Sequence, residues 1–138
     1  MSEENVEIMR RVFEEFQAGM ERGDLADRFE ETVAEDSEFI TAVPLEGRSV
    51  WRGREGFAEF MRAWTENFED WSIRLERLID AGDDRVVGLT HQSATGKASG
   101  APVELNLGTV AELKYGRVVR MRNYLTHAEA LEAAGLAE

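Results

Sequence analysis

Residues 71–95 read WSIRLERLIDAGDDRVVGLTHQSAT and contain the pattern that decides the fold. Apolar residues recur at every second position over much of Trp71–Ile79, a period that is typical of a β-strand. Residues 81–84 (AGDD) supply a tight turn, and a second strand follows over Arg85–Thr95. The stretch therefore predicts an antiparallel hairpin.

Two further strands extend this hairpin into a sheet. Turn residues at 97–102 (KASGAP) lead into a strand over Val103–Leu113, and Lys114-Tyr115-Gly116 leads into a strand over Arg117–Leu125. Four long strands joined by short turns predict an antiparallel and strongly twisted meander.

The first half of the chain has the spacing of helices. Apolar residues recur every three or four positions on one face of a first helix: Val6, Met9, Val12, Phe13, Phe16 and Met20. A short second helix is predicted after a cap at Asp24. Its apolar side would carry Leu25, Arg28, Phe29 and Val33.

A break at Glu35-Asp36-Ser37 precedes a short strand over Phe39–Val43 and an extended segment over Ser49–Gly53. A third helix is predicted over Arg54–Phe68, and a capping box at Thr126–Glu129 begins a last helix that ends at Gly135. Helices and long strands are segregated along the chain, which predicts an α+β fold with helices covering one face of the sheet.

Composition limits the possible functions. The chain has 138 residues and a net charge of −12, which suits one domain over residues 1–138 and disfavours binding to nucleic acid or anionic membranes. With no cysteine, disulfides, thiolate metal sites and cysteine nucleophiles are excluded. The start is acidic and lacks the layout of a signal peptide, and no apolar run approaches the roughly 20 residues of a membrane span. A cytoplasmic protein is expected.

Three neighbouring strands each place one polar residue among apolar neighbours on the face predicted to meet the helices: His91, Thr109 and Asn123. A buried polar group without a partner costs about 1–3 kcal/mol, so such a cluster suggests a shared cavity that holds water or a ligand. The alternative is that each group makes an ordinary hydrogen bond to the backbone or to another side chain.

Five stretches together resemble SnoaL-like proteins of the NTF2-like superfamily, which includes ketosteroid isomerases. They are residues 5–13 (NVEIMRRVF) with Gly23-Asp24, residues 51–56 (WRGREG), residues 79–83 (IDAGD), residues 116–120 (GRVVR) and residues 124–136 (YLTHAEALEAAGL). The resemblance spans nearly the whole chain. It implies a cone-shaped α+β barrel with a strongly curved antiparallel sheet, helices packed on the concave face and an internal pocket.

The resemblance also implies a dimer interface and the positions where catalytic residues would lie. Homodimers through the outer sheet face are common in the family, and here that face would carry Thr90, Gln92, Glu104, Arg120, Arg122 and Tyr124. The catalytic positions of ketosteroid isomerases fall near Val12, Thr41 and Thr109. None of these side chains can act as the acid or base of those enzymes.

Two functions remain open from the sequence. The first is an enzyme that moves a proton on a small apolar, cyclic or carbonyl-bearing molecule without a cofactor, of isomerase, cyclase or dehydratase type. His91 would transfer the proton, while Asn123 and Thr109 would hold an oxygen. The second is a non-catalytic ligand-binding or dimeric scaffold protein.

The pocket wall is predicted from residue type and position. The residues expected to contact the ligand are Phe16, Thr41, Trp51, Trp64 and Leu107. Trp51 is the preferred wall residue, whereas Trp64 falls on the helix face of Phe60 and Phe68, which favours core packing over a wall role. His127 suits a rim or capping role at the start of the last helix. No spacing of His, Asp or Glu indicates a metal site.

Overall fold

The computed structural model describes residues 2–22, 29 and 31–136. Three helices are present in this part of the chain: α1 (Ser2–Arg22), α2 (Gly53–Asn67) and α3 (His127–Ala133). None of the described helices is both long and apolar enough to cross a membrane. The predicted first, third and last helices form close to their expected bounds.

Seven strands complete the described part of the chain. They are β1 (Val33–Leu45), β2 (Arg48–Arg52), β3 (Phe68–Gly82), β4 (Arg85–Gly96), β5 (Pro102–Leu105), β6 (Gly108–Lys114) and β7 (Arg117–Tyr124). They form one sheet in the order β2-β1-β7-β6-β4-β3, with β5 paired to β4. The β1–β7 pair is parallel and the other pairs are antiparallel. The predicted α+β fold with a curved, mostly antiparallel sheet is confirmed.

Three details differ from the predictions. Residues 35–37, predicted as a break, lie within β1 and form an irregularity in its pairing with β7, between the Val33–Val118 and Glu38–Arg120 pairs. The strand predicted over Val103–Leu113 is interrupted at Asn106-Leu107, which separates β5 from β6. The second helix falls mostly outside the described residues, and Val33, placed on its apolar side, begins β1.

The main core lies between α1, α2 and the concave face of the sheet. Its buried residues include Met9 and Val12 from α1, Phe60 from α2, and Val86 and Ala111 from the sheet. Gly88 lets α1 approach closely, since a Cβ at this position would lie 2.9 Å from Phe13 Cε2. This close contact places the face of β4 that carries Gly88 against α1.

The last helix packs on the opposite face of the sheet from α1 and α2, which differs from the prediction that the helices cover one face. Its Ala130 and Ala134 form a second apolar cluster with Val87 and Leu89 of β4. The capping box is formed, because Thr126 Oγ1 accepts a hydrogen bond of 3.0 Å from the backbone N–H of Glu129. As a result β4 is covered on both faces, and Val86–Thr90 is buried without interruption.

Candidate functional site

A cavity of about 250 Å³ lies between the helices and the concave face of the sheet. Its walls come from α1, α2, β1, β3, β4, the β5–β6 region and the end of β7. Most of the lining is aromatic or aliphatic, as in typical small-molecule sites. The polar residues of the lining are Thr41, Gln92, Thr109 and Asn123.

Thr109 and Asn123 form a polar pair in this wall. They are direct neighbours across the antiparallel β6–β7 pair, and Thr109 Oγ1 donates a hydrogen bond of 2.7 Å to Asn123 Oδ1. The Asn123 Nδ2 group makes no hydrogen bond within the described residues. It therefore keeps two N–H donors for a molecule in the cavity.

Gln92 is held by a chain of hydrogen bonds through the wall. Its Oε1 accepts a bond of 3.0 Å from Trp71 Nε1, and its Nε2 donates to Thr90 Oγ1 at 3.2 Å. The Thr90 hydroxyl in turn donates to the carbonyl oxygen of Leu107 at 3.2 Å. The Gln92 amide thus fixes the Trp71 ring, and one of its two N–H donors is already used by Thr90.

Gln92→Leu should destabilise the protein by about 1–3 kcal/mol, because the substitution leaves the half-buried Trp71 Nε1–H without an acceptor. Chemical denaturation followed by far-UV circular dichroism measures the free energy of unfolding. Ser93→Ala, one position along β4, is the control and should change it by less than about 0.5 kcal/mol. If Gln92→Leu were as stable as the wild type, the proposed role of these hydrogen bonds would be wrong.

Aromatic rings form much of the cavity wall. The Phe16 and Trp71 rings meet edge to face with centroids 5.2 Å apart, and Trp64 lies 4.9 Å from Trp71 and 4.2 Å from Phe68. Such contacts stabilise each ring pair by about 0.5–1.5 kcal/mol beyond area burial. The wall is therefore stiff and suits a flat apolar molecule.

His91 does not face this cavity, so the prediction of its position is wrong. It lies on the opposite face of β4 from Gln92, where Nδ1 is 2.7 Å from Asn106 Oδ1 and Nε2 is 3.2 Å from Glu104 Oε1. The side chain is 27% exposed. The physical reason is that both faces of β4 are covered by helices, so the apolar pattern did not reveal which face is concave. Thr90 and Gln92, expected on the outer face, line the concave one.

The outer surface around His91 is polar. Arg74 lies across from His91 on the neighbouring strand, and its hydrogen bond to Glu76 lowers the pKa of that carboxyl below its ordinary value. His127 also lies on this side, with Nε2 2.9 Å from the carbonyl oxygen of Thr90. Neither histidine lines the 250 Å³ cavity.

Trp51 also lies outside the cavity lining, contrary to its prediction as the preferred wall residue. The ring is 1% exposed and packs against Phe60 with centroids 5.6 Å apart. The start of α2 lies directly against the Trp51 backbone, since a Cβ at Gly56 would lie 2.9 Å from the Trp51 carbonyl carbon. Arg48 covers the ring from the other side at 3.9 Å. Trp51 is therefore a core residue that anchors α2.

The other residues singled out from the sequence all line the same cavity: Phe16, Thr41, Trp64, Leu107, Thr109 and Asn123. Thr41 Oγ1 donates to the carbonyl oxygen of Val43 at 2.7 Å. The structure adds Gln92 to this set. Gly88 is the sequence signal for it, because glycine inside a strand often marks the close approach of another element, here on the face that Gln92 shares.

The described lining of the cavity is uncharged. Of the described residues that line it, none carries an ionisable side chain. No three His, Asp or Glu side chains in the described residues lie close enough to share a metal ion. The lining can thus donate and accept hydrogen bonds, but it holds no fixed charge to neutralise a charged ligand.

Comparison with known proteins gives a consistent fold. The model of the SnoaL-like domain family matches residues 13–121, and no curated protein matches the sequence. An NTF2-like protein of unknown function from Burkholderia pseudomallei is 20% identical and superposes with a TM-score of 0.75, covering 96% of this chain and 97% of its own. An NTF2-like protein from Anabaena variabilis is 21% identical, with a TM-score of 0.72 and 90% of each chain covered.

A third structure, from Catenulispora acidiphila, is a hypothetical protein with a ketosteroid isomerase-like fold in complex with trimethylamine. It is 16% identical and has a TM-score of 0.67, with 91% of this chain and 92% of its own covered. At these identities the likeness shows the fold and leaves the ligand to be argued from the cavity.

Proposed function

Because this chain belongs to the SnoaL-like domain family, we propose that it binds a small, uncharged, mostly apolar molecule with a carbonyl oxygen in its internal cavity. The observation that carries this proposal is the lining itself. The walls are mostly aromatic and aliphatic, and among the polar lining residues the Thr109–Asn123 pair retains both N–H donors of the amide.

The Asn123 amide is the group that would recognise the ligand oxygen. Thr109 occupies Oδ1 and so orients the amide, which leaves Nδ2 as the donor to a carbonyl. Burial of the apolar body supplies the main driving force, about 0.8 kcal/mol for each buried CH₂ group. The amide then fixes the orientation of the ligand in the cavity.

The residues at the positions that are catalytic in ketosteroid isomerases favour binding over proton transfer. Val12, Thr41 and Thr109 all line the cavity, and none of them gains or loses a proton near neutral pH. General acid or base catalysis requires a group that does so within hydrogen-bonding reach of the substrate. Homodimerisation through the outer face of the sheet and a cytoplasmic location stay predictions.

A matched pair of probes tests the proposal. The neutral 2-acetylnaphthalene should bind at least tenfold more tightly than 2-naphthoate, which has the same rings with a carboxylate in place of the ketone. The reason is that the lining offers no cation to compensate a buried negative charge. Isothermal titration calorimetry at pH 7 measures both affinities.

Two variants verify that the probe occupies the cavity. Leu105→Trp places a large ring in the lining and should abolish binding, whereas Val50→Trp, on an exposed position outside the lining, should leave the affinity unchanged. Failure of 2-acetylnaphthalene to bind, or equal binding of the carboxylate, would refute the proposal.

A further inference from the structure

A second, smaller cavity of about 30 Å³ lies next to the large one. It is formed between α1, the first half of β1 and the start of α2. A void of this size holds about two water molecules, or a small polar group of a ligand. Unlike the large cavity, its lining includes charged residues, namely Glu38 and Arg54.

Ser37 is the polar residue of this small cavity that lacks a partner. Its side chain is 7% exposed and lines the void, and its hydroxyl forms no hydrogen bond with any described residue. A hydroxyl in a mostly apolar void has few groups with which it can form a hydrogen bond. A water molecule or a ligand group in the void would give the Ser37 hydroxyl the hydrogen bond that it lacks.

The charged neighbours favour an oxygen atom in this void. Arg54, in the first turn of α2, donates from Nη2 to the carbonyl oxygen of Val33 at 3.0 Å and lines the same void as Ser37. The Glu38 carboxylate is engaged by Arg52 at 2.9 Å and by Arg120 at 3.4 Å. A hydroxyl on the ligand suits this site, since it can both donate to and accept from Ser37.

The two cavities share part of their lining. Both are lined by the same four residues: Val12, Phe16, Phe39 and Met121. Three of these are branched or aromatic, while Met121 is unbranched and has three rotatable side-chain bonds. Met121 is therefore the shared lining residue that can change its side-chain conformation most easily.

We infer that the small cavity is a second subsite of the same ligand site. It receives a hydroxyl group at the end of the ligand opposite the carbonyl, with Ser37 as its hydrogen-bond partner and Met121 as the residue that admits it. This inference rests on the proposed function. It specifies a ligand with an apolar body and an uncharged oxygen at each end.

The test compares 2-acetylnaphthalene with 6-hydroxy-2-acetylnaphthalene, which adds one hydroxyl at the far end of the rings. In the wild type the hydroxyl should raise the affinity about threefold to tenfold, the range of one net hydrogen bond. Isothermal titration calorimetry measures both probes on the full chain, and thermal melting confirms that each variant is folded.

Two variants assign the gain to this subsite. Ser37→Ala should abolish the advantage of the hydroxyl and leave the affinity for 2-acetylnaphthalene unchanged, while Ser72→Ala, at an exposed position on β3, should retain it. Met121→Ile keeps an apolar side chain but is stiff at χ1. It should also remove the advantage, because the passage stays closed.

The outcomes separate the two proposals. If 2-acetylnaphthalene binds but the hydroxyl gives no gain, or the gain persists in Ser37→Ala, the subsite is refuted and the void holds only water. If neither probe binds, the proposed function itself is refuted. An advantage lost in Ser37→Ala and kept in Ser72→Ala supports the subsite.

Discussion

Gly108→Ala is expected to lower the free energy of unfolding by about 2–3 kcal/mol and to detach α3 from the sheet. A Cβ at this position would overlap the Cβ of Ala130, which lies at the contact between β6 and α3. Ala130 is fully buried, so it has no room to move aside. The helix must therefore shift away from β6.

The detachment of α3 would weaken β4 as well. The helix end is tied to the sheet by Arg85 Nη2, which donates to the carbonyl oxygen of Ala134 at 3.1 Å. At its start, His127 Nε2 lies 2.9 Å from the carbonyl oxygen of Thr90. Displacement of the helix would expose Val87 and Leu89 to water, which adds to the cost.

A compensating double variant tests this explanation. Ala130→Gly alone should cost about 1 kcal/mol, because glycine disfavours a helix interior. Combined with Gly108→Ala, it removes the overlapping methyl group, so the double variant should be more stable than Gly108→Ala alone. Urea unfolding gives the coupling free energy. Wild-type stability of Gly108→Ala, or simple additivity of the two changes, would contradict the proposed overlap.

The architecture was predictable because periodicity reports it directly. Alternating residues in β3 and β7 and the helical spacing in α1 each arise from one buried face. The hairpin turn at residues 81–84 and the capping box at Thr126 carry their own local chemistry, and both form. The β5–β6 interruption was missed, since Asn106 and Leu107 fit an alternating strand as well as a loop.

The site was predictable where one sheet face is clearly apolar. Thr109 and Asn123 lie on strands with exposed charges on the other face, including Glu112 and Arg120. The alternation of apolar and charged residues along these strands was enough to predict that both side chains lie on the same face of the sheet. For β4 the same reasoning failed, because α3 buries the face of Val87 as fully as α1 buries that of Val86.

Trp51 shows a second limit of reasoning from sequence. Its position on a short strand before α2 favours a cavity wall as much as a core contact. The distinction depends on the close approach of α2 at Gly56, which is a tertiary property. The pairing of Gln92 with Trp71 likewise depends on the register of β3 with β4.

Asn123→Asp is expected to make binding of 2-acetylnaphthalene depend on pH. Burial in an apolar cavity raises the pKa of a carboxyl above its ordinary value of about 3.9. Below the raised pKa the protonated acid can donate to the ligand carbonyl, as the wild-type amide does. Above it, an ionised carboxylate without a donor faces the carbonyl oxygen, and the affinity should fall about a hundredfold, or about 2.7 kcal/mol.

The stability of the variant should change in the same direction. A folded-state pKa above the unfolded value means that the folded chain binds more protons than the unfolded chain between the two values. The free energy of unfolding contributed by this group therefore falls as pH rises from about 4 through the raised pKa, and is constant above it. The Thr109 hydroxyl, which donates to this position, limits the size of the shift.

Calorimetry from pH 5.5 to pH 9 measures the effect and avoids the isoelectric region near 4.6. The wild-type affinity should be flat across this range, because no described lining residue is ionisable. Asn106→Asp adds the same charge at an exposed position outside the cavity and should also leave it flat. A pH-independent affinity in Asn123→Asp would mean that the carbonyl does not meet this side chain, and the proposed orientation of the ligand would then be wrong.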